Sequence, residues 1–117
     1  MKLMPQARRA KNVLPVFDRE VLDRHTMQDA KLQREVLDLF FSELAKLRAL
    51  IEQGPIPAEQ AKMMAHTILG AASSVGARRI EAIAARWHQN PEWSQGLRLE
   101  IGKAVQEFLA AAKPTSL

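Results

Sequence analysis

The chain has no cysteine, which closes off disulfides and thiolate chemistry and leaves three histidines, His25, His66 and His88, as its candidate reactive groups. Their spacing is not that of a metal site. A neutral imidazole is a nucleophile near neutral pH, and it can accept a phosphoryl group and hold it as an N–P bond. His66 stands out by its surroundings. At helical spacing its neighbours are Lys62, Met63, Leu69 and Gly70, so one face carries a lysine, two apolar side chains and a glycine. A glycine inside a helix costs about 1 kcal/mol relative to alanine, and here it leaves the space beside the imidazole open. His25 and His88 each fall at the end of a helical pattern, where the helix dipole favours a cation, and this accounts for both without a reactive role. No Gly-rich phosphate loop and no Ser-His-Asp or Cys-His pairing is present. Carboxylates are scattered over solvent-facing positions, as with Glu43 beside Lys46. The inventory suits a carrier of a reactive group better than a self-contained enzyme. Phosphoryl transfer depends mainly on positioning and charge stabilisation, much of which a partner can supply.

The elements that must position His66 are helices. Ala61, Ala65, Ile68, Ala72 and Val75 recur at helical spacing, which predicts a helix over about 58–75 with His66 off its apolar stripe. Pro57 is placed as its first helical residue and Gly76 as its stop. Before it, Val36, Phe40, Leu44, Leu47 and Ile51, widened by Leu37 and Phe41, predict a helix over about 30–52 that packs on more than one neighbour. Its cap is either Thr26 or Asp29. A short helix starts at Asp18, with Phe17 and Leu22 as a hydrophobic staple, and ends near His25. After Gly76, Ile80, Ile83, Ala84 and Trp87 mark a helix over about 78–88. Leu97, Ile101, Val105, Phe108, Leu109 and Ala112 mark a last one over about 92–112. No strand pattern occurs. Short connections make successive helices antiparallel neighbours. The expected fold is therefore all-α: an up-down-up-down four-helix bundle with a short extra N-terminal helix, and Phe40, Ile68, Ile83 and Phe108 in its core.

With 117 residues and a hydrophobic fraction of 47%, one domain with a full core is expected. The net charge of +4 comes from Lys2, Arg8, Arg9 and Lys11, since residues 15–117 hold 13 basic and 13 acidic side chains. Residues 1–16 read as a basic flexible arm and 17–113 as the bundle. Such an arm can touch nucleic acid or anionic lipid, but is more often a solvated terminus. No apolar run reaches the length of a membrane span and no secretory signal pattern is present, so the expected location is cytoplasmic.

The string His66-Thr67-Ile68-Leu69-Gly70-Ala71-Ala72-Ser73-Ser74-Val75-Gly76-Ala77 resembles the phosphorylation helix of histidine-containing phosphotransfer (HPt) domains. That helix carries His, a small residue, an aliphatic, Lys, Gly, two small residues, two variable positions, an aliphatic, Gly and Ala. The one departure is Leu69, where the family usually has lysine. The resemblance extends in length and helix order over roughly residues 17–112, and its specific part is this helix. It implies a four-helix bundle and a phosphoprotein of bacterial two-component signalling. His66 would be the phosphoacceptor, and Lys62, Met63, Leu69, Gly70 and Ser73 would form the docking face. The implied partners are receiver domains of response regulators and a hybrid sensor histidine kinase. No cofactor of its own is implied, the magnesium ion being the receiver's. The cation missing at position 69 would come from Lys62, or from Arg78 or Arg79 at the start of the next helix. Two other readings stand beside this one. An HPt-like module could occupy receivers or kinases without relaying phosphate. A small basic helical nucleic-acid binder has only the arm in its favour, with no helix-turn-helix spacing and no basic stripe on one helix.

Overall fold

The computed structural model describes residues 14–112, and the basic residues of the expected arm, within 1–13, lie outside them. Among the described residues there are five helices and no strand: α1 Arg19–Thr26, α2 Ala30–Glu52, α3 Ala58–Val75, α4 Arg78–Gln89 and α5 Gln95–Ala112. None of them is long and apolar enough to cross a membrane.

Each start has a local cause. Asp18 caps α1 by accepting from the Glu20 N–H at 3.2 Å. Asp29 caps α2, accepting from Lys31 and Leu32 at 3.0 and 3.2 Å, which decides between the two candidates. Thr26 is spent otherwise: it is the buried last residue of α1, and its hydroxyl donates to the Leu22 carbonyl at 2.7 Å. Pro57 is the extended N-cap of α3, one position earlier than expected, with its carbonyl accepting from Ala61 at 2.8 Å. Helix α5 begins at Gln95 instead of Glu92. Ser94 makes the better start, since its hydroxyl accepts from the Leu97 N–H at 3.0 Å. The residues before it form a loop in which Trp93 packs on Trp87, with ring centroids 6.4 Å apart.

Helix α2 packs on α3, α3 on α4, α4 on α5, and α5 returns to α2, while α1 lies against α2 and α3. The core they enclose contains Phe40, Leu44 and Leu47 from α2, Ala65, Ile68 and Ala72 from α3, Ile80, Ile83 and Trp87 from α4, and Ile101, Val105 and Phe108 from α5. All four residues expected at its centre, Phe40, Ile68, Ile83 and Phe108, are buried. Phe108 is an aromatic hub, edge-on to Phe17 at 5.3 Å and to Phe40 at 5.1 Å. Such pairs add about 0.5–1.5 kcal/mol beyond their buried area. Val16 and Phe17 pack on this core, and the Leu14 carbonyl accepts from Arg79 Nε at 2.5 Å, so the chain ahead of α1 is held along the bundle from Leu14 onward.

The shortest connection matters most for the site. Only Gly76 and Ala77 separate α3 from α4. Gly76 has φ 86°, and its N–H and that of Ala77 both donate to the Ala72 carbonyl at 3.0 Å, closing the end of α3. The Gly76 carbonyl accepts from Asp18 N at 2.7 Å, and a Cβ at Gly76 would overlap the Asp18 carbonyl oxygen. The glycine therefore serves a left-handed turn and a close approach by the start of α1 at once. His25 adds a second fastening: its Nδ1–H donates to the Ser74 carbonyl at 2.8 Å, satisfying a group that the end of α3 leaves open.

Candidate functional site

Helix α3 buries Ala61, Ala65, Ile68, Ala72 and Val75. Alanine at three of these five inward positions would give a thin stripe, but Ile68 and Val75 fill it, and the opposite side is left to solvent. On that side His66, Lys62, Gly70 and Ser73 are exposed, and Met63 is 72% exposed, one turn before the histidine. A thioether left so open on a helix is an unfilled apolar contact. Leu69 differs from its neighbours: it is half-buried and packs against the core. Five of the six expected site residues thus share one open helix face, and Leu69 turns partly inward at its edge.

Gly70 lies one turn beyond His66. A Cβ built there meets nothing within 4 Å. No packing within the described chain requires the glycine, in contrast to Gly76, where the fold itself demands one. The open space beside His66 is therefore available to another molecule.

The structure adds one residue that reading the sequence set aside. His88, near the end of α4, is half-buried, and its ring lies 5.5 Å from that of His66, the planes tilted by 41°. The two-residue connection makes α3 and α4 a hairpin. His66 is ten residues before Gly76 and His88 eleven after Ala77, so each lies ~15 Å from the turn at 1.5 Å per residue. That symmetry about Gly76 was a visible signal. Whether the two rings face one another was not, because it depends on how the helices are rotated in their packing.

The arginines of α4 are committed elsewhere. Arg78 pairs with Asp18 and Glu81 at 3.5 and 3.6 Å, and Arg79 pairs with Glu107 at 3.1 Å. Both stand at the turn end of the hairpin, about two and a half turns from the level of His66. The expectation that either could approach the imidazole is corrected by these ion pairs. Arg86 pairs with Glu100. Lys62 has no ion-pair partner among the described residues. Glu43 pairs with Lys46 at 3.6 Å, as a solvated surface carboxylate would.

His66 is thus an exposed imidazole on a bundle helix, with a glycine free of neighbours one turn on and an exposed Met63 one turn before. The family model described as Hpt domain matches residues 35–113. The chain belongs to the Hpt family. The match takes in most of α2 and all of α3, α4 and α5, and it starts beyond α1. Comparison with curated proteins and with solved structures gives no match. Membership fixes the general setting as phosphotransfer in two-component signalling, in which Hpt domains interact with receiver domains and kinases.

Proposed function

We propose that this Hpt protein is a phosphocarrier whose acceptor is His66. It takes a phosphoryl group from the aspartate of one receiver domain and returns it to that of another, with a hybrid sensor kinase upstream. One ring nitrogen of neutral His66 attacks phosphorus, the N–P bond forms as the acyl-phosphate P–O bond breaks, and the aspartate leaves as a carboxylate. The second ring nitrogen keeps its proton, and the return step reverses these changes. The receiver brings the magnesium ion and acidic pocket, and this chain contributes the nucleophile, the open approach beside Gly70 and the contacts of Lys62, Met63 and Ser73. An up-down-up-down order of α2 to α5, in a cytoplasmic protein, completes the reading.

The observation that carries it is the exposed His66 one turn from a glycine that nothing within the described chain requires. Incubation with a labelled phosphoreceiver tests it. Acid-labile label should appear on the wild type and on His25→Gln, and be lost in His66→Gln. Label persisting in His66→Gln would overturn the assignment. A second reading has one specific observation in its favour: Leu69 is apolar and partly packed inward where the family usually places a lysine. A module that binds receivers without accepting phosphate would give receiver binding with no label on any histidine.

A further inference from the structure

We infer that His88 is the positioning residue for His66, steadying its ring and donating a ring N–H to the phosphoryl group once His66 carries it. The inference rests on the phosphocarrier reading and goes beyond it by naming the group that stands in for the missing lysine.

Three observations lead there. First, the two rings are in contact range and tilted, an arrangement typical of packed planar side chains, so His88 limits the rotamers open to an otherwise exposed imidazole. Second, His88 is half-buried beside Trp87, which is itself fully enclosed in the core, so it is held from a rigid element and not from a loop. Third, most of the cations that could replace the missing lysine are engaged elsewhere. Leu69 is apolar, Arg78 and Arg79 are paired at the far end of the hairpin, and Arg86 is paired with Glu100. Lys62 remains, but on an exposed four-carbon stem whose ordering would cost entropy each time it was used. A phosphoryl group on a ring nitrogen of His66 would bring its oxygens into the neighbourhood of the His88 ring, whose centroid is 5.5 Å from that of His66. Even a neutral imidazole has one N–H to offer, so no change of charge on His88 is needed. A hydrogen bond to a phosphoryl oxygen is charge-assisted and stronger than a neutral one.

The test uses the full chain and four variants: His88→Phe, which keeps a ring but no donor; His88→Gln, which keeps a donor but no ring; Lys62→Ala; and His66→Gln. Each is first melted, and His88→Leu replaces His88→Phe if the latter does not fold. Two quantities are then read. One is the balance of ring-nitrogen tautomers at His66 in the unphosphorylated protein, by nitrogen NMR. The other is the rate at which acid-labile phosphate is lost after labelling by a phosphoreceiver. His88→Phe should alter the tautomer balance and speed the loss roughly tenfold, the worth of one hydrogen bond to a charged group. His88→Gln should stay within about twofold of wild type for phosphate loss, and Lys62→Ala should do the same. Unchanged tautomers and lifetime in a folded His88→Phe would overturn the inference, as would a tenfold loss that follows Lys62→Ala instead. If no variant and no wild-type chain takes label, it is the phosphocarrier reading that fails. The tautomer balance then decides the positioning role alone, supporting it if His88→Phe shifts the balance and overturning it if not.

Discussion

Two glycines on one helix hairpin show how a single residue type serves opposite ends. Gly76 has a left-handed backbone and no room for a Cβ, whereas Gly70 is helical with empty space around it. The cost of Gly70, about 1 kcal/mol against alanine, therefore has no return inside the described chain, and under the proposed function its benefit comes on binding. We expect Gly70→Ala to raise the melting temperature slightly while leaving transfer nearly intact. Gly70→Leu should fold as well as wild type and yet weaken receiver binding by roughly tenfold or more, the scale of a steric intrusion into a packed contact. Melting and receiver binding measured on the same two proteins separate the effects. Undiminished binding by Gly70→Leu would remove access as the reason for the glycine. His66 and its neighbour His88, with ring centroids 5.5 Å apart, belong to the same scale, since under the proposed function the chemistry of His66 turns on what lies within one ring's reach of it.

At the scale of elements, the α3–α4 hairpin sets the level at which the histidines meet, and α1 locks it. The start of α1 sits over Gly76 through the Asp18 N–H, the Asp18 side chain reaches Arg78, and His25 holds the last turn of α3 at Ser74. Gly76→Ala should consequently be severe. The left-handed backbone alone costs an alanine about 1–3 kcal/mol, and the overlap with the Asp18 carbonyl forces α1 to move as well. Denaturant unfolding should register a loss above that range, compared with a small gain for Gly70→Ala on the same helix. An equal and mild effect at both glycines would show that the turn can relax without α1. His25, by contrast with His66, serves this fastening, so its replacement should lower stability without removing label.

For the whole molecule, charge is divided unevenly. The four basic residues ahead of position 14 have no acidic counterpart, while residues 15–117 are balanced at 13 of each sign. Receiver docking by the α3 face therefore should not depend on long-range attraction from the bundle. Removing residues 1–13 should leave the melting temperature and the rate of transfer at physiological salt unchanged. The cut stops short of Leu14 because its carbonyl holds Arg79. A large fall in transfer rate, recovered neither by folding nor by raised concentration, would point to electrostatic steering by those residues.

The helices, their apolar faces and the family were legible without a structure. Helical periodicity is local, and residues such as Phe40, Ile68 and Phe108 announce their burial through neighbours three and four positions away. His66 and Gly70 were legible for the same reason, as both lie within one turn of the same helix. What only the tertiary structure decided depends on contacts distant in sequence. Arg78 and Arg79 are engaged away from His66 by Asp18 and Glu107, partners 60 and 28 residues off. His88, dismissible as the end of its own helix, became the neighbour of His66. A one-dimensional pattern gives each helix its face and the short turn gives the two histidines a common level, but the rotation of one helix against the other, which turns the two imidazoles toward each other, is set by packing.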